Sequence, residues 1–307
     1  MAMTLLESAM YGTDVIRRGV ITLMTERTPM LQRVPWETIK GNAYTYFVER
    51  SLPGIAFRAV GDTWPQSTHI INPVTERIVI MGGEIFVDNF QLRTQGNRAD
   101  IKAAAYKAKS RSLGLIFSEY FFEGDSTANV KVFDGIRARI TGNQSILAGT
   151  NGAALTLDMM DQLGDTVIDP GESQLYMNKT LRRKITSLAR SVGGQFTLLN
   201  TGPDALGKQV MKYNGIPINI IERLDSEGTF LDFDETAGSS NVTASIYLLR
   251  FGDEFIRGIQ GEGGSVEVKD FGEIQSAPGH LGRIEWYPGL TVQHPRAAAR
   301  LRGILNS

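Results

Sequence analysis

The stretch RADIKAAAYKAKSRSLGLIFSEYFF, Arg98 to Phe122, decides how the rest of the chain is read. It is rich in alanine and straight-chain residues and holds no proline, so it is expected as one helix, about 35 Å long at roughly 1.5 Å per residue. Asn97 stands where a cap belongs, and Asp100, three residues on, suits the positive end of a helix. The first half carries Lys102, Lys107, Lys109 and Arg111 with no acidic residue among them. The second half turns apolar through Leu113, Leu115, Ile116, Phe117, Tyr120 and Phe121, so the two halves meet different surroundings.

Upstream, the first 35 residues mix charged and small side chains with Pro29 and Pro35, and only Leu5 to Met24 has weak helical spacing. They read as an arm. From Asn42 to Glu49 the side chains alternate, with Tyr44, Tyr46 and Val48 on one side, which is strand periodicity. A second strand-like run covers Val74 to Phe90, and Gly82-Gly83 is expected to break it as a bulge or bend. Between the two runs lie Pro53, Gly54, Gly61, Pro65 and Pro73 without a clear pattern. An excursion of this size with no helix is uncommon where connections run about 4 to 6 residues. It has little interior of its own, and two readings stand: it lies on another molecule, or it folds back on its own subunit.

Downstream, Val130 to Ile140 reads as a loop with short strands, and a second lobe begins near Thr150. Thr156 is placed to cap a helix whose Met160, Leu163 and Val167 share a face. A short strand, Gln174 to Met177, runs into a helix capped by Asn178, with Leu181, Ile185, Leu188 and Val192 on one stripe and Gly193-Gly194 as the stop. Gln209 to Tyr213 and Ile216 to Glu222 are strands joined by Asn214-Gly215, a strong hairpin dipeptide. An acidic, Gly/Ser-rich loop, Asp225 to Asn241, leads into Ala244 to Phe251, whose near-continuous apolar run suits a strand buried on both faces. Ser265 to Phe271, Arg283 to Tyr287 and Leu290 to Gln293 follow as strands, and Pro295 to Arg302 reads as a basic tail.

The 307 residues allow two lobes. Their 32 basic and 33 acidic side chains leave a net charge of −1, so no overall field points to a nucleic acid or a membrane. Zero cysteines exclude disulfides and thiolate sites. Met1 to Met10 lacks the pattern of a secretory signal, and no apolar run approaches about 20 residues, so a soluble, cytoplasmic protein is expected. His69, His280 and His294 have no metal-site spacing, and Asp232, Asp234 and Glu235 lack the glycine and distal glutamate of a calcium loop; this cluster is expected to be solvated. Gly258, Gly261, Gly263 and Gly264 precede a strand and not a helix, which suits a turn and not a phosphate cradle. No nucleophile motif appears, so neither an enzyme nor a cofactor is expected. Arg17-Arg18, Lys102 to Arg111 and Arg296, Arg300 and Arg302 are open to two readings, polyanion contact or hydrated surface.

Arm, two-stranded excursion, long helix, α/β lobe and closing strands, in that order, resemble the HK97-type major capsid proteins of tailed bacteriophages. The likeness is carried by Phe121-Phe122-Glu123-Gly124-Asp125 with Phe133-Asp134-Gly135, by Tyr213-Asn214-Gly215-Ile216-Pro217, and by Ile246 through Gly252. It continues in Ile284-Glu285-Trp286-Tyr287-Pro288-Gly289-Leu290 and His294-Pro295-Arg296-Ala297. The resemblance implies an α+β, HK97-like capsid fold. Residues 1–35 become the N-terminal arm, 36–92 an extended loop across a neighbouring subunit, 93–152 a peripheral domain around a spine helix, 153–264 an axial domain and 265–307 closing strands. It implies hexamers and pentamers in an icosahedral head around double-stranded DNA, located in the virion and assembled in the host cytoplasm. Tyr44, Tyr46, Phe57, Trp64, Ile78 and Ile80 become candidate intersubunit residues, and Arg17, Arg18, Lys102 and Lys109 candidate DNA-facing ones. Because the arm begins almost at Met1, the resemblance implies either a separate scaffolding protein or an already processed chain, and a portal and a cement protein would be further partners. No lysine lies between Lys40 and Lys102, so a covalent loop cross-link is not expected. An encapsulin-type shell enclosing an enzyme cargo is the alternative.

Overall fold

The computed structural model describes residues 3–306 apart from 12–14, 27, 52, 65, 68, 69, 95–97, 192–198, 204–208, 222–230 and 265. The first 35 residues, expected as an arm with weak helical spacing, contain helices. They form α1 (Leu5–Tyr11), α2 (Val15–Glu26) and a 3-10 turn at Pro29–Gln32. Leu5 and Ala9 repeat at i, i+4, as do Val20, Ile21 and Met24 at close helical spacing, and this face is buried together with Met30, Leu31 and Val34. Packing of α2 on the long helix is close enough to require Gly114, where a Cβ would sit 2.7 Å from the Met24 carbonyl oxygen.

The chain continues through β1 (Trp36–Thr38), β2 (Ala43–Ser51), β3 (Ile70–Arg77), β4 (Met81–Asp88), α3 (Asn89–Thr94) and α4 (Arg98–Glu123). Strands β2 and β3 pair antiparallel as a sheet of two, with Tyr44 opposite Glu76 and Tyr46 opposite Val74. The break in the second run falls at Ile78–Ile80 and not at Gly82-Gly83, which lie inside β4. Those glycines answer to close neighbours instead of to a bend. A Cβ on Gly82 would lie 2.3 Å from the Ile284 carbonyl oxygen, and one on Gly83 would lie 2.5 Å from the Lys109 side chain. Asn97, the expected cap of α4, lies outside the described residues.

The apolar half of α4 anchors the larger core. Phe117 stands 4.8 Å from Trp286 and 5.8 Å from both Trp36 and Phe133, centroid to centroid. After α4, the segment 130–140 forms turns and the short helix α5 (Ile136–Arg139) in place of strands. Asp125 and Asn129 accept the amide protons of Thr127 and Lys131 two residues on, a local turn chemistry that competes with strand pairing.

The second half holds β5 (Ser145–Leu147), α6 (Leu157–Thr166), β6 (Ser173–Met177), α7 (Lys179–Ser191), β7 (Leu199–Pro203), β8 (Gln209–Tyr213) and β9 (Ile216–Ile220). After these come β10 (Glu235–Ala237), β11 (Ser240–Arg250), β12 (Ile256–Gln260), β13 (Glu267–Ile274), β14 (Gly279–Trp286), β15 (Pro288–Val292) and β16 (Ala298–Leu305). Thr156 caps α6 by accepting from the Met159 amide, and Asn178 caps α7 by accepting from Leu181. Val192 and Gly193-Gly194 lie outside the described residues. Asn214 and Gly215 both take positive φ, 47° and 83°, as a two-residue type I′ turn demands.

An eight-stranded sheet runs in the order β5-β16-β11-β6-β9-β8-β7, with β10 added on β11. Leu175, Met177, Ile246, Leu248 and Leu301 point from one face toward α6 and α7. Tyr176 and Tyr247 point from the other and meet Phe122 at the end of α4, at 5.6 Å and 5.1 Å. A three-stranded sheet, β13-β14-β4, packs on α4, and a second of three strands is ordered β1-β12-β15. Two expectations change here. Pro295 to Arg302 is not a basic tail, because β16 is an internal strand in which Leu301 and Ile304 are fully buried. Glu235 is not solvated, because it is buried against Arg300, 2.7 Å away, and also accepts from Ser245.

Candidate assembly surfaces

The two-stranded excursion is gripped at its base and bare at its tip. At the base, Arg139 on α5 donates to both carboxylate oxygens of Glu76 on β3 and, at 3.1 Å, to the Leu290 carbonyl. Tyr46 donates to the Val292 carbonyl at 3.1 Å, and Arg257 donates to the Tyr44 hydroxyl. Burial first, and then the Glu76 carboxylate, push the Tyr46 phenol above its usual range. The Ile78 amide closes on the Asn42 carbonyl and the Val79 amide on Pro288. Between these contacts lies a cleft of about 220 Å³ lined by Tyr46, Val48, Val74, Glu76, Arg139 and Val292 among others.

At the tip the apolar side chains have no such cover. Phe57 and Ile55 are essentially fully exposed, at 106% and 98%, and Val60 and Trp64 are exposed beside them. Arg58 lies over the Trp64 ring at 5.3 Å and donates to the Asp62 carbonyl, and the Asp62 carboxylate accepts from Ala59. The tip is therefore shaped by polar bonds while its apolar surface faces outward. An exposed apolar cluster of this kind marks a contact surface.

Six side chains were expected between subunits, and the structure divides them. Phe57, Trp64 and Ile80 are exposed. Tyr44 and Ile78 are half-buried, and Tyr46 is buried in its own chain, which removes it from any outer surface. Ile55 and Val60 belong to the same tip and were missed, although apolar residues inside a Pro/Gly-rich stretch without strand pattern were the available signal.

The candidate basic residues do not converge. Lys102 is bound to Asp270 at 3.4 Å and to His280 Nδ1 at 3.1 Å, and Lys109 lies over Gly83, so both belong to the packing of α4 on its sheet. Arg17 donates to the Gly263 carbonyl at 3.3 Å, while Arg18 stays exposed. Arg300 is buried, and Arg296 donates to the Asp165 and Thr166 carbonyls at the end of α6. Of the closing basic residues, Arg296 and Arg302 are exposed. Among the described residues no group of acidic or histidine side chains is arranged to hold a metal ion, and no helix is long and apolar enough to cross a membrane.

No family model matches this sequence, and no curated protein does. Solved structures match its backbone over nearly the whole length. The encapsulin of the holo-SrpI complex from Synechococcus elongatus PCC 7942 aligns with a TM-score of 0.66 at 15% identity, over 91% of this chain and 88% of that one. A capsid of the native GTA particle gives 0.61 at 14% identity, over 91% and 90%. The Mycobacterium phage Bobi structure gives 0.60 at 12% identity, over 89% of each chain.

Proposed function

From a chain that has the HK97-type capsid fold, we propose a shell-forming subunit, the major capsid protein of a tailed-phage type of particle. The observation that carries this reading is the contrast along the 43–77 excursion: pinned by an ion pair and phenol bonds at the base, apolar and uncovered at the tip. Isolated two-stranded sheets are marginal in water, and exposed apolar area gains about 25 cal/mol per Å² when covered, so a neighbouring copy is the natural support. In this reading residues 36–92 are the extended loop, 93–152 with α4 the peripheral domain, 153–264 the axial domain and 265–307 the closing strands. The subunits assemble as hexamers and pentamers around double-stranded DNA inside the virion, in the host cytoplasm, with a portal, a scaffolding protein and a cement protein as partners. Arg17, Arg18, Lys102 and Lys109 are the DNA-facing candidates of this reading, and Arg18 is exposed on α2.

The match to an encapsulin at a TM-score of 0.66 favours a second reading, a cellular shell that encloses an enzyme. Expression of the chain followed by negative-stain microscopy tests the common part, since closed particles are expected and a persistent monomer at high concentration overturns both readings. Nuclease-resistant DNA inside particles purified from their source supports the phage reading, whereas a co-purifying enzyme in place of DNA supports the cellular one.

A further inference from the structure

The two strands of the excursion offer unlike edges. Strands β2 and β3 pair with each other and, among the described residues, with no other strand, so each has one row of backbone groups turned outward. Pro73, opposite Phe47, fixes which residues those are. A proline has no amide to give the ladder, so Phe47 and Pro73 form a pair without hydrogen bonds, and the pairs alternate from there. The Ile78 amide, bonded to the Asn42 carbonyl, keeps the same alternation. The outward groups are therefore those of Ala43, Thr45, Phe47 and Glu49 on β2, and those of Ile71, Pro73, Thr75 and Arg77 on β3.

On β3 this row is broken in the middle by Pro73, a residue that blunts an edge. On β2 the outward positions hold no proline. The side chains of Ala43, Thr45 and Phe47 are exposed as well, Phe47 by 69%. They share the outer face with Pro73 and with Ile71, also exposed, whereas Tyr46 on the opposite face is buried. A row of unpaired backbone groups is a template for another strand, and a sheet of two strands is marginal without one.

We propose that the open edge of β2 pairs antiparallel with the same edge of a second copy of this chain, about a two-fold axis at Phe47, and merges two hairpins into one sheet of four strands. The edge is self-complementary in that arrangement. Phe47 meets its own counterpart and Thr45 meets Glu49, so no like charges stand opposite each other. The apolar outer row becomes continuous, from Pro73 and Phe47 of one copy to Phe47 and Pro73 of the other. A parallel arrangement brings the two Glu49 side chains together and is disfavoured. The contact is isologous and joins subunits in pairs. The inference rests on the shell reading and names one of the contacts that the shell uses.

The test is a matched pair of prolines in the full chain. Thr45 and Thr75 stand opposite each other with their hydroxyls 2.9 Å apart, and both amides point outward. Thr45→Pro and Thr75→Pro therefore lose the same side-chain bond and no ladder bond, but they block different edges. Thr45→Pro is expected to lower the assembled fraction, read by sedimentation, at least about tenfold, and Thr75→Pro to leave it within about twofold. Circular dichroism melts check both variants. If Thr45→Pro does not fold, Phe47→Lys takes its place, since it sets like charges against each other at the axis and should give the same loss. The chain has no cysteine of its own, so Phe47→Cys adds a cross-link report. Facing residues of a hydrogen-bonded antiparallel pair lie about 5.5 Å apart between Cα atoms, within disulfide reach, so oxidised particles should yield covalent dimers. Thr75→Cys, a strand further from the axis, should yield none. An equal effect of the two prolines, or assembled Phe47→Cys particles that give no dimer, overturns this inference and leaves the shell reading standing. A parent chain that stays monomeric at high concentration removes the shell reading together with it.

Discussion

Gly258 lies in β12 where the Trp36 ring crosses the strand, and a Cβ there would come within 2.5 Å of that ring. Trp36 in turn packs 5.0 Å from Trp286, so the clash would spread through the aromatic core. Gly258→Ala is expected to destabilise the subunit by about 1–3 kcal/mol, the usual range for overpacking, read as a lower denaturant midpoint with unchanged slope. Glu123 gives a second residue-scale test. Burial raises its carboxyl above the usual range, Arg137 at 3.9 Å pulls it back, and Asp234, Glu235 and Glu119 add to the rise. A raised folded-state value means that the stability contributed by protonated Glu123 is fully present below the ordinary glutamate range, about 4.3, and is lost as pH rises through the raised value. Glu123→Gln, which stays neutral, should therefore melt above the parent at pH 8, with the difference closing near pH 4. Neither site was legible in the chain, because each depends on side chains brought together across long sequence separations. The acidic cluster misled for the same reason: Glu235 reads as solvated until β10 and β16 bring Arg300 to it.

At the scale of elements, alternation and capping were the dependable signals. Helix α4, the Asn214-Gly215 turn, and the caps at Thr156 and Asn178 all stand where local chemistry placed them. The strand break was misplaced because glycine serves two ends, bending a chain or admitting a neighbour, and sequence does not separate them. The excursion of β2 and β3 is where local structure and function meet. Replacing residues 53–67 by a short turn removes little buried apolar surface, so the subunit should melt within about 2 °C of the parent, well under 1 kcal/mol, yet close no shells. Trp64 reports the same event without a deletion. Trp36 and Trp286 are 4% and 1% exposed and Trp64 is 59% exposed. Assembly should therefore shift tryptophan emission to the blue, and Trp64→Phe should abolish the shift; a shift that survives would remove the tip from the interface.

Over the whole molecule, the cores are continuous with the sheets and not with the boundaries of the sequence segments. Residues 5–34 belong to the same core as α4, and the last strand lies inside the largest sheet. With no lysine between Lys40 and Lys102, particles should dissociate to single chains in hot detergent, and a ladder of covalent oligomers would contradict the noncovalent shell. The sequence alone determined the long helix, the paired strands, the hairpin turn and the absence of sulfur chemistry, because each follows from neighbours a few residues apart. Tertiary structure decided which charges are buried, which glycines admit a neighbour, and that the opening and closing segments are core, because burial and pairing join residues whose distance along the chain carries no periodic trace.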